Sequence, residues 1–537
     1  MREREAWLIE RRALLRGSMA SLAALAAGCG SDPEPATTDV EVAVVGGGMA
    51  GLHCAYRLHQ AGVAVTVFES SDRVGGRMYT ARGMFPDGQL IELGGELIDT
   101  NHATLWALSA ELGIALDDRF ADEPAGFKRE IYDIGGVEVP EATIVEQFTQ
   151  VAPLMAQLVT DAEEDDALFE MVDGMSLREW LDTNVPVATY PELNAVLDVA
   201  YRGEFGLEND EQSPFNLLYL IDYEEPDPFR IFGDSDERHH THDGNDAFPN
   251  ALATALEGRI ELGATLVRVS ESDGRYTLEL TRGDGSSVER VVDHVVFALP
   301  FTRLRDVDLT GVTLSDEKRT IIAELGYGTN AKVMGAFTSR IWRDQYNQGG
   351  SLTTDRPVQQ TWDTSIGQDG AHGILTNFLG GDQGVASGQG TAEAWFTGVL
   401  PDLEAVWPDA QNAYVADSAV RMHWPTHPHT LGSYTCYRPG QWAFWSLEGV
   451  REGNLHFCGE HCSLDFQGWM EGAAETGGLV AKEILDELGV KASTMHVAAL
   501  ESKLALPQAC YGASRFGPMR VQQRRRLTRG LSRSPRG

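Results

Sequence analysis

The stretch Val42–Arg77, VAVVGGGMAGLHCAYRLHQAGVAVTVFESSDRVGGR, constrains this chain more than any other. An apolar run, Val42–Val45, leads into Gly46-Gly47-Gly48-Met49-Ala50-Gly51. A helical pattern follows, with Leu52, Ala55 and Leu58 on one face. A second apolar run, Val63–Phe68, then ends at Glu69 and Ser70. The pattern predicts a strand, a glycine turn, a helix and a second strand with an acid at its far end. Gly46 permits the tight turn, Gly48 lets the backbone approach a pyrophosphate, and Gly51 lets the helix pack on the strand. Phosphates sit on the free N–H groups of the helix start, at Met49 and Ala50, and on its positive dipole. Glu69 accepts hydrogen bonds from both hydroxyls of an adenosine ribose. A G-x-G-x-x-G alone is weak; the strand, the helix and the acid at the expected distance make this a dinucleotide site.

At 537 residues with 42% apolar content, the chain suits two or more intertwined domains with large cores. Its formal net charge is −37, although the end of the chain, Lys503–Gly537, carries one Lys and eight Arg with no acid. So acidic a body argues against nucleic acid and anionic membrane as partners; it weakly favours cationic substrates by steering, and an organism with an acidic proteome accounts for it equally well. The basic end has clustered Arg, Gly and Pro with little apolar periodicity, and 489–537 reads as a disordered tail. At the other end, Arg11-Arg12-Ala13-Leu14-Leu15-Arg16 is a twin-arginine pattern, followed by a short apolar run, Ser21–Ala27. That run is too short to span a bilayer, so 1–30 reads as an export signal handed to the twin-arginine machinery. Ala26-Ala27-Gly28-Cys29 resembles a lipoprotein cleavage site, which makes Cys29 a candidate lipid anchor. Residues 31–39 form a tether. The expected location is the periplasm or cell envelope. The six cysteines, Cys29, Cys54, Cys436, Cys458, Cys462 and Cys510, have neither metal-ligand spacing nor a disulfide framework, and no metal site is expected.

Beyond Glu69, Arg73-Val74-Gly75-Gly76-Arg77 forms a loop able to fold over a pyrophosphate, with Arg77 in charge-assisted contact. Gln89–Leu93 then leads to Gly94-Gly95-Glu96-Leu97, where a glycine pair lets backbone approach a flat ring. With these elements in place the sequence resembles the flavin amine oxidase family of monoamine, polyamine and L-amino-acid oxidases. The resemblance implies non-covalent FAD, bound by the glycine turn, the ribose acid, the R-x-G-G-R loop and the E/D-x-G-G segment. It covers about Val40–Leu488 in patches.

The rest of the chain reads as follows. Thr104–Leu112 is helical, and Ala142–Leu220 is mostly helical with a capping box at Ser176-Leu177-Arg178-Glu179. Arg259–Val269 and Tyr276–Thr281 are strands, and Val291–Leu299 is a buried strand stopped by Pro300. By resemblance, Leu266 lies against the cofactor. Lys332 stands in Leu325–Phe337, a strand otherwise of small and apolar residues, and a buried lysine is costly unless paired. In the resembled family a lysine here holds a water against the flavin. Near the end, Gly432–Gly440 precedes a strand at Asn454–Cys458, then Gly459-Glu460-His461, then Phe466–Ala473 and a helix to Leu485. By resemblance, Glu460 reaches the ribityl–phosphate region. Gly468–Ala473 opens a helix whose Met470 N–H meets the flavin oxygen that gathers charge on reduction. Tyr434 and Trp469 match the paired aromatics that flank the amine. Ser433 stands where animal monoamine oxidases carry a flavin-bonded cysteine.

The fold class is therefore α/β: a Rossmann-like FAD domain of the glutathione-reductase type with a mixed α+β substrate domain. The FAD domain draws on 40–105, 242–310 and 450–488, and the substrate domain on 106–241 and 311–449. The reaction implied removes a hydride from an amine-bearing carbon; the imine hydrolyses to a carbonyl compound and ammonia, and O2 becomes H2O2. Lys332, Tyr434 and Trp469 are the candidate catalytic residues. Substrates in view are a primary amine or an L-amino acid. Arg438 and Arg202 are candidates for a substrate carboxylate, and Glu96, Asp99 and Glu204 for a cationic group. A homodimer stays open. Two alternatives remain at this stage. One is another flavoenzyme on the same frame, a carotenoid-type desaturase or fatty-acid isomerase, which would not need Lys332 with an aromatic pair. The other is a non-catalytic FAD-binding envelope lipoprotein, against which the intact set of Gly46–Gly51, Arg77, Lys332 and Met470 argues.

Overall fold

The computed structural model describes residues 39–491. The twin-arginine segment, Cys29, most of the tether, Cys510 and most of the basic tail lie outside the described residues. At the centre is a five-stranded parallel sheet in the order Leu455–Phe457, His294–Phe297, Glu41–Val45, Ala64–Glu69, Ile260–Leu262. Its inner strands, Glu41–Val45 and His294–Phe297, are buried on both faces over most of their length, which is why they read as apolar runs, while the edge strand Ile260–Leu262 is partly exposed. Side chains alternate between two cores. Val42, Val44, Val65, Val67 and Val296 face the layer formed by helices Met49–Gln60 and Met470–Glu487. Ala43, Val45, Phe68, Val295 and Phe297 face the opposite core. The two helices cross tightly: a Cβ at Gly477 would lie 2.2 Å from the Ala50 carbonyl oxygen.

A four-stranded sheet, Ser287–Val292, Arg275–Arg282, Ala264–Ser272, Asp308–Gly311, shares that second core. A seven-stranded mixed sheet runs Val420–His423, Ala331–Phe337, Gly373–Leu379, Gln360–Asp363, Gln348–Thr354, Lys128–Ile134, Val137–Val139. The helices Glu141–Glu164, Asp166–Asp173, Leu177–Asn184, Pro191–Phe205 and Pro214–Leu218 fill the expected helical block, and the Ser176/Glu179 capping box is present. Among the described residues, no helix is long and apolar enough to cross a membrane.

Two expected strands are each divided. Arg259–Val269 breaks at Gly263, whose φ of +66° turns the chain from the parallel sheet into the four-stranded one. Val291–Leu299 breaks at Asp293, whose carboxylate accepts the Glu41 N–H at 2.9 Å and pairs with Arg275. Its two halves belong to different sheets. An apolar run cannot reveal such a switch, because the valines on either side of Asp293 read alike in sequence, although Val291 is exposed and Val295 buried.

Candidate active site

The glycine turn follows directly from the first strand. Gly46 has φ of +110°, and a Cβ there would stand 2.5 Å from the Ala298 carbonyl oxygen. Gly51 would clash with the Gly46 carbonyl oxygen at 2.0 Å, so it serves the packing of helix on strand and lies beneath the cavity. Gly48, the N-cap, has no atom within 4 Å of where a Cβ would be. Open space thus meets an uncapped helix N-terminus, the geometry that receives phosphate. Glu69 is held by the N–H groups of Gly47 at 2.7 Å and Ser71 at 2.8 Å. The arginine–glycine loop folds back on the turn through Gly75 N–H to the Gly47 carbonyl at 2.8 Å. Arg73 orders that loop by donating to the carbonyls of Val74 and Gly76 while lying 3.7 Å over the Tyr79 ring.

These residues line one end of a cavity of about 880 Å³ that also takes in Ser70, Arg77, Gly94–Leu97, Lys332, Tyr434 and Gly468–Met470. Arg77 donates to Glu460 at 2.9 Å and to the Ser433 carbonyl at 2.7 Å. Glu460 is buried and also accepts the Gly468 N–H at 2.9 Å. Burial alone would raise its carboxyl, but the Arg77 guanidinium beside it holds it below the usual range. The glycine pair has no room for side chains. A Cβ at Gly94 would lie 1.8 Å from the Arg77 carbonyl oxygen, and one at Gly95 would lie 2.6 Å from Met470 Cγ. Met470 opens the helix Met470–Glu487, with Trp469 as its N-cap, and Ala473 lines the same wall.

Lys332 is only 5% exposed, on a strand buried along its whole length. Its ammonium donates to Glu96 Oε2 at 2.8 Å, to the Gly94 carbonyl at 2.8 Å and to the Glu92 carbonyl at 3.1 Å. All three protons therefore have protein acceptors, and Lys332 ties the Gly94–Glu96 segment to the mixed sheet. Trp362 lies beside it, 5.2 Å from ammonium to ring. Glu96 also accepts from Thr364 at 3.0 Å. Burial would raise the Glu96 carboxyl, but Lys332 pulls it below its ordinary value. Tyr434 donates its hydroxyl to the Glu204 carbonyl, and burial holds its phenol well above the ordinary range, hence neutral. Gly328 N–H to the Tyr434 carbonyl (2.8 Å) and Ser433 N–H to the Gly328 carbonyl (2.9 Å) bring Tyr434 beside the start of the lysine strand. The Ser433 hydroxyl donates to Asn330 at 2.5 Å, and buried Cys436 is absent from the cavity wall.

Several expectations need correction. The Leu266 side chain joins the core between the sheets and does not line the cavity, because alternate residues of its strand point inward. Glu96 is spent on Lys332, so it is not free for a substrate cation. Asp99 is buried against His102 and the Glu237 N–H. Arg202 is paired with Asp198 and Glu208, and Arg438 with Glu211; neither reaches the cavity. Sequence reasoning missed Trp362, Glu130 and Glu237 on the wall. Their only signal is position in the fold.

Residues 49–485 match the family described as flavin containing amine oxidoreductase. The chain belongs to that family. FAD is its cofactor, and the glycine cradle, the Glu69 carboxylate and the closed Gly94-Gly95 wall fit it. Among similar proteins, the flavin-dependent L-tryptophan oxidase RebO of Lentzea aerocolonigenes is 27% identical over 486 residues, covering 81% of this chain and 96% of its own. Cyclohexylamine oxidase from Brevibacterium oxydans superposes with a TM-score of 0.72 at 21% identity, over 84% of this chain and 100% of that one. Wild-type putrescine oxidase bound to putrescine gives 0.70 at 20% identity, over 84% and 100%.

Proposed function

We propose that the chain is an FAD-dependent oxidase of a primary amine or an L-amino acid, with Lys332, Tyr434 and Trp469 at the reacting end. The observation that carries this reading is the clamp of buried Lys332 on Gly94–Glu96, on the same cavity wall as Tyr434, Trp469 and the start of the Met470 helix. Bound FAD would supply the hydride-accepting chemistry for the amine-bearing carbon, with O2 as the final electron acceptor and H2O2 as the product. The chain's own residues position and enclose. Gly48, Arg77 and Glu69 hold the diphosphate and ribose; Gly94 and Gly95 let backbone lie close to the ring. The Met470 N–H and the helix dipole behind it favour negative charge at the ring's edge. Tyr434, held neutral by burial, and Trp469 give a neutral amine nitrogen an apolar slot. With serine at 433 and no cysteine on the described wall, cofactor binding is non-covalent. Export by the twin-arginine route to the periplasm or cell envelope, with a lipid on Cys29, is part of the same proposal; a signal that exports folded proteins suits a chain that takes up its cofactor in the cytoplasm.

The test is to purify the mature protein, record its visible spectrum and assay peroxide release with amines and L-amino acids. A flavin spectrum bleached by an amine under anaerobic conditions is the expected result. A colourless protein, or a yellow one that no amine or amino acid bleaches, overturns it.

A further inference from the structure

The cations of the cavity wall other than Arg73 are ion-paired. Arg77 is paired with Glu460, Lys332 with Glu96, Arg129 with Glu123 and Arg230 with Asp222. Six carboxylates on the same wall form no ion pair among the described residues: Glu69, Asp72 and Asp236, and the group Glu130, Glu204 and Glu237. Glu130 is hydrogen-bonded by Ser351 and shares the field of Arg119 with Glu237. Glu204 has no such relief. It sits in the last turn of helix Pro191–Phe205, where the negative end of the helix dipole adds to its own charge. Its backbone carbonyl is taken by the Tyr434 hydroxyl, while the residue itself, partly exposed, lines the cavity. The charged neighbours acting on it are acids, Asp99 and Glu237. An unpaired carboxylate so placed is expensive to keep ionised. Desolvation by the surrounding protein lifts Glu204 to about 7, and desolvation with the Asp99 and Glu204 charges lifts Glu237, which stays open to the cavity, to about 8.

We propose that Glu204 and Glu237 form a subsite for a second cationic nitrogen, so that the substrate is a diamine or a basic L-amino acid. One nitrogen enters the slot of Tyr434 and Trp469, and the other is held by the two carboxylates, with the Glu204–Tyr434 hydrogen bond linking the two positions. A cation at that point supplies the partner that the fold withholds from Glu204, and it rejects a neutral tail because the carboxylate would stay desolvated and unpaired. This rests on the reading of the cavity as an amine-oxidising site.

Two matched pairs test it on the FAD-loaded enzyme: 1,4-diaminobutane against n-butylamine, and L-lysine against L-norleucine. Peroxide release and ligand-induced thermal shift are both read. In at least one pair the dication is expected to exceed its counterpart by about 100-fold in kcat/KM, mostly through KM. Glu204→Gln should raise KM for that dication about 10- to 100-fold more than it raises KM for the matched monocation; Glu237→Gln should act in the same direction. Equal kcat/KM within both pairs, or an unchanged KM in both variants, overturns the subsite. If no amine reduces the flavin, the oxidase reading fails. The subsite then stands only if a dication still raises the melting temperature of wild type and not of Glu204→Gln, and it falls otherwise.

Discussion

The two ends of the cavity are built in different ways. The adenosine-diphosphate end is made of backbone: the Gly46–Gly51 turn, the Arg73–Gly76 loop folded on it and a single anchoring acid, Glu69, all within Val42–Arg77. The reacting end is made of side chains drawn from across the sequence. Lys332 meets Glu96 at a separation of 236 residues, and Tyr434 meets Glu204 at 230. A backbone site tolerates almost any side chain that points elsewhere but no Cβ in the wrong place. A side-chain site is instead sensitive to charge, because each buried ion depends on its one partner.

The difference can be broken from either end. The largest effect is expected at the backbone end. Gly46→Val adds a branched side chain at φ +110°, where a Cβ already stands 2.5 Å from a carbonyl oxygen, and should abolish FAD retention; a flavin-to-protein ratio near wild type would refute the rigid turn. Next is Lys332→Met, which leaves Glu96 buried and unpaired at a cost of about 3–5 kcal/mol. Its melting temperature and turnover should both fall sharply while flavin stays bound. The double variant Lys332→Met/Glu96→Gln should recover stability but not turnover, and recovery of both would remove Lys332 from the chemistry.

A third, smaller effect concerns pH. An acid raised from about 4.5 to about 7 in the fold is protonated more readily there than in the unfolded chain. Stability should therefore fall as pH rises from about 4.5 to 7, and level off above. Glu204→Gln removes that penalty, so the variant should be more stable than wild type at pH 8, by about 1–3 kcal/mol, and equal to it at pH 4. Parallel denaturation curves at all pH values would show that Glu204 has a partner in solution. The smallest effect is at Tyr434→Phe. It deletes one hydroxyl donor to the Glu204 carbonyl, costs about 1 kcal/mol of stability and keeps the aromatic face. A loss of turnover beyond about tenfold would mean the hydroxyl does more than place the ring.

Legibility followed the same division. The Gly46 turn, Glu69, the Ser176 capping box and the Met470 helix were readable because each is a local rule about φ, caps or period. Gly135-Gly136, with φ of +62° and +79° between Ile134 and Val137, carried an equally local hairpin signal that went unread, and with it the edge of the mixed sheet. The break at Asp293 and the inward face of Leu266 carried no such signal, since apolar residues that end up exposed, Val291 and Val267, read the same as their buried neighbours Val295 and Leu266.

By itself the sequence determined that a dinucleotide lies on a glycine turn and that one lysine is buried in an apolar strand. Backbone dihedrals and burial are set within a few residues. Only the tertiary structure decided which acid that lysine meets, that Arg202 and Arg438 are spent elsewhere, and that Glu204 is left unpaired over the cavity. Coulomb energies depend on distance in space and on the surrounding dielectric, and neither is written in sequence separation.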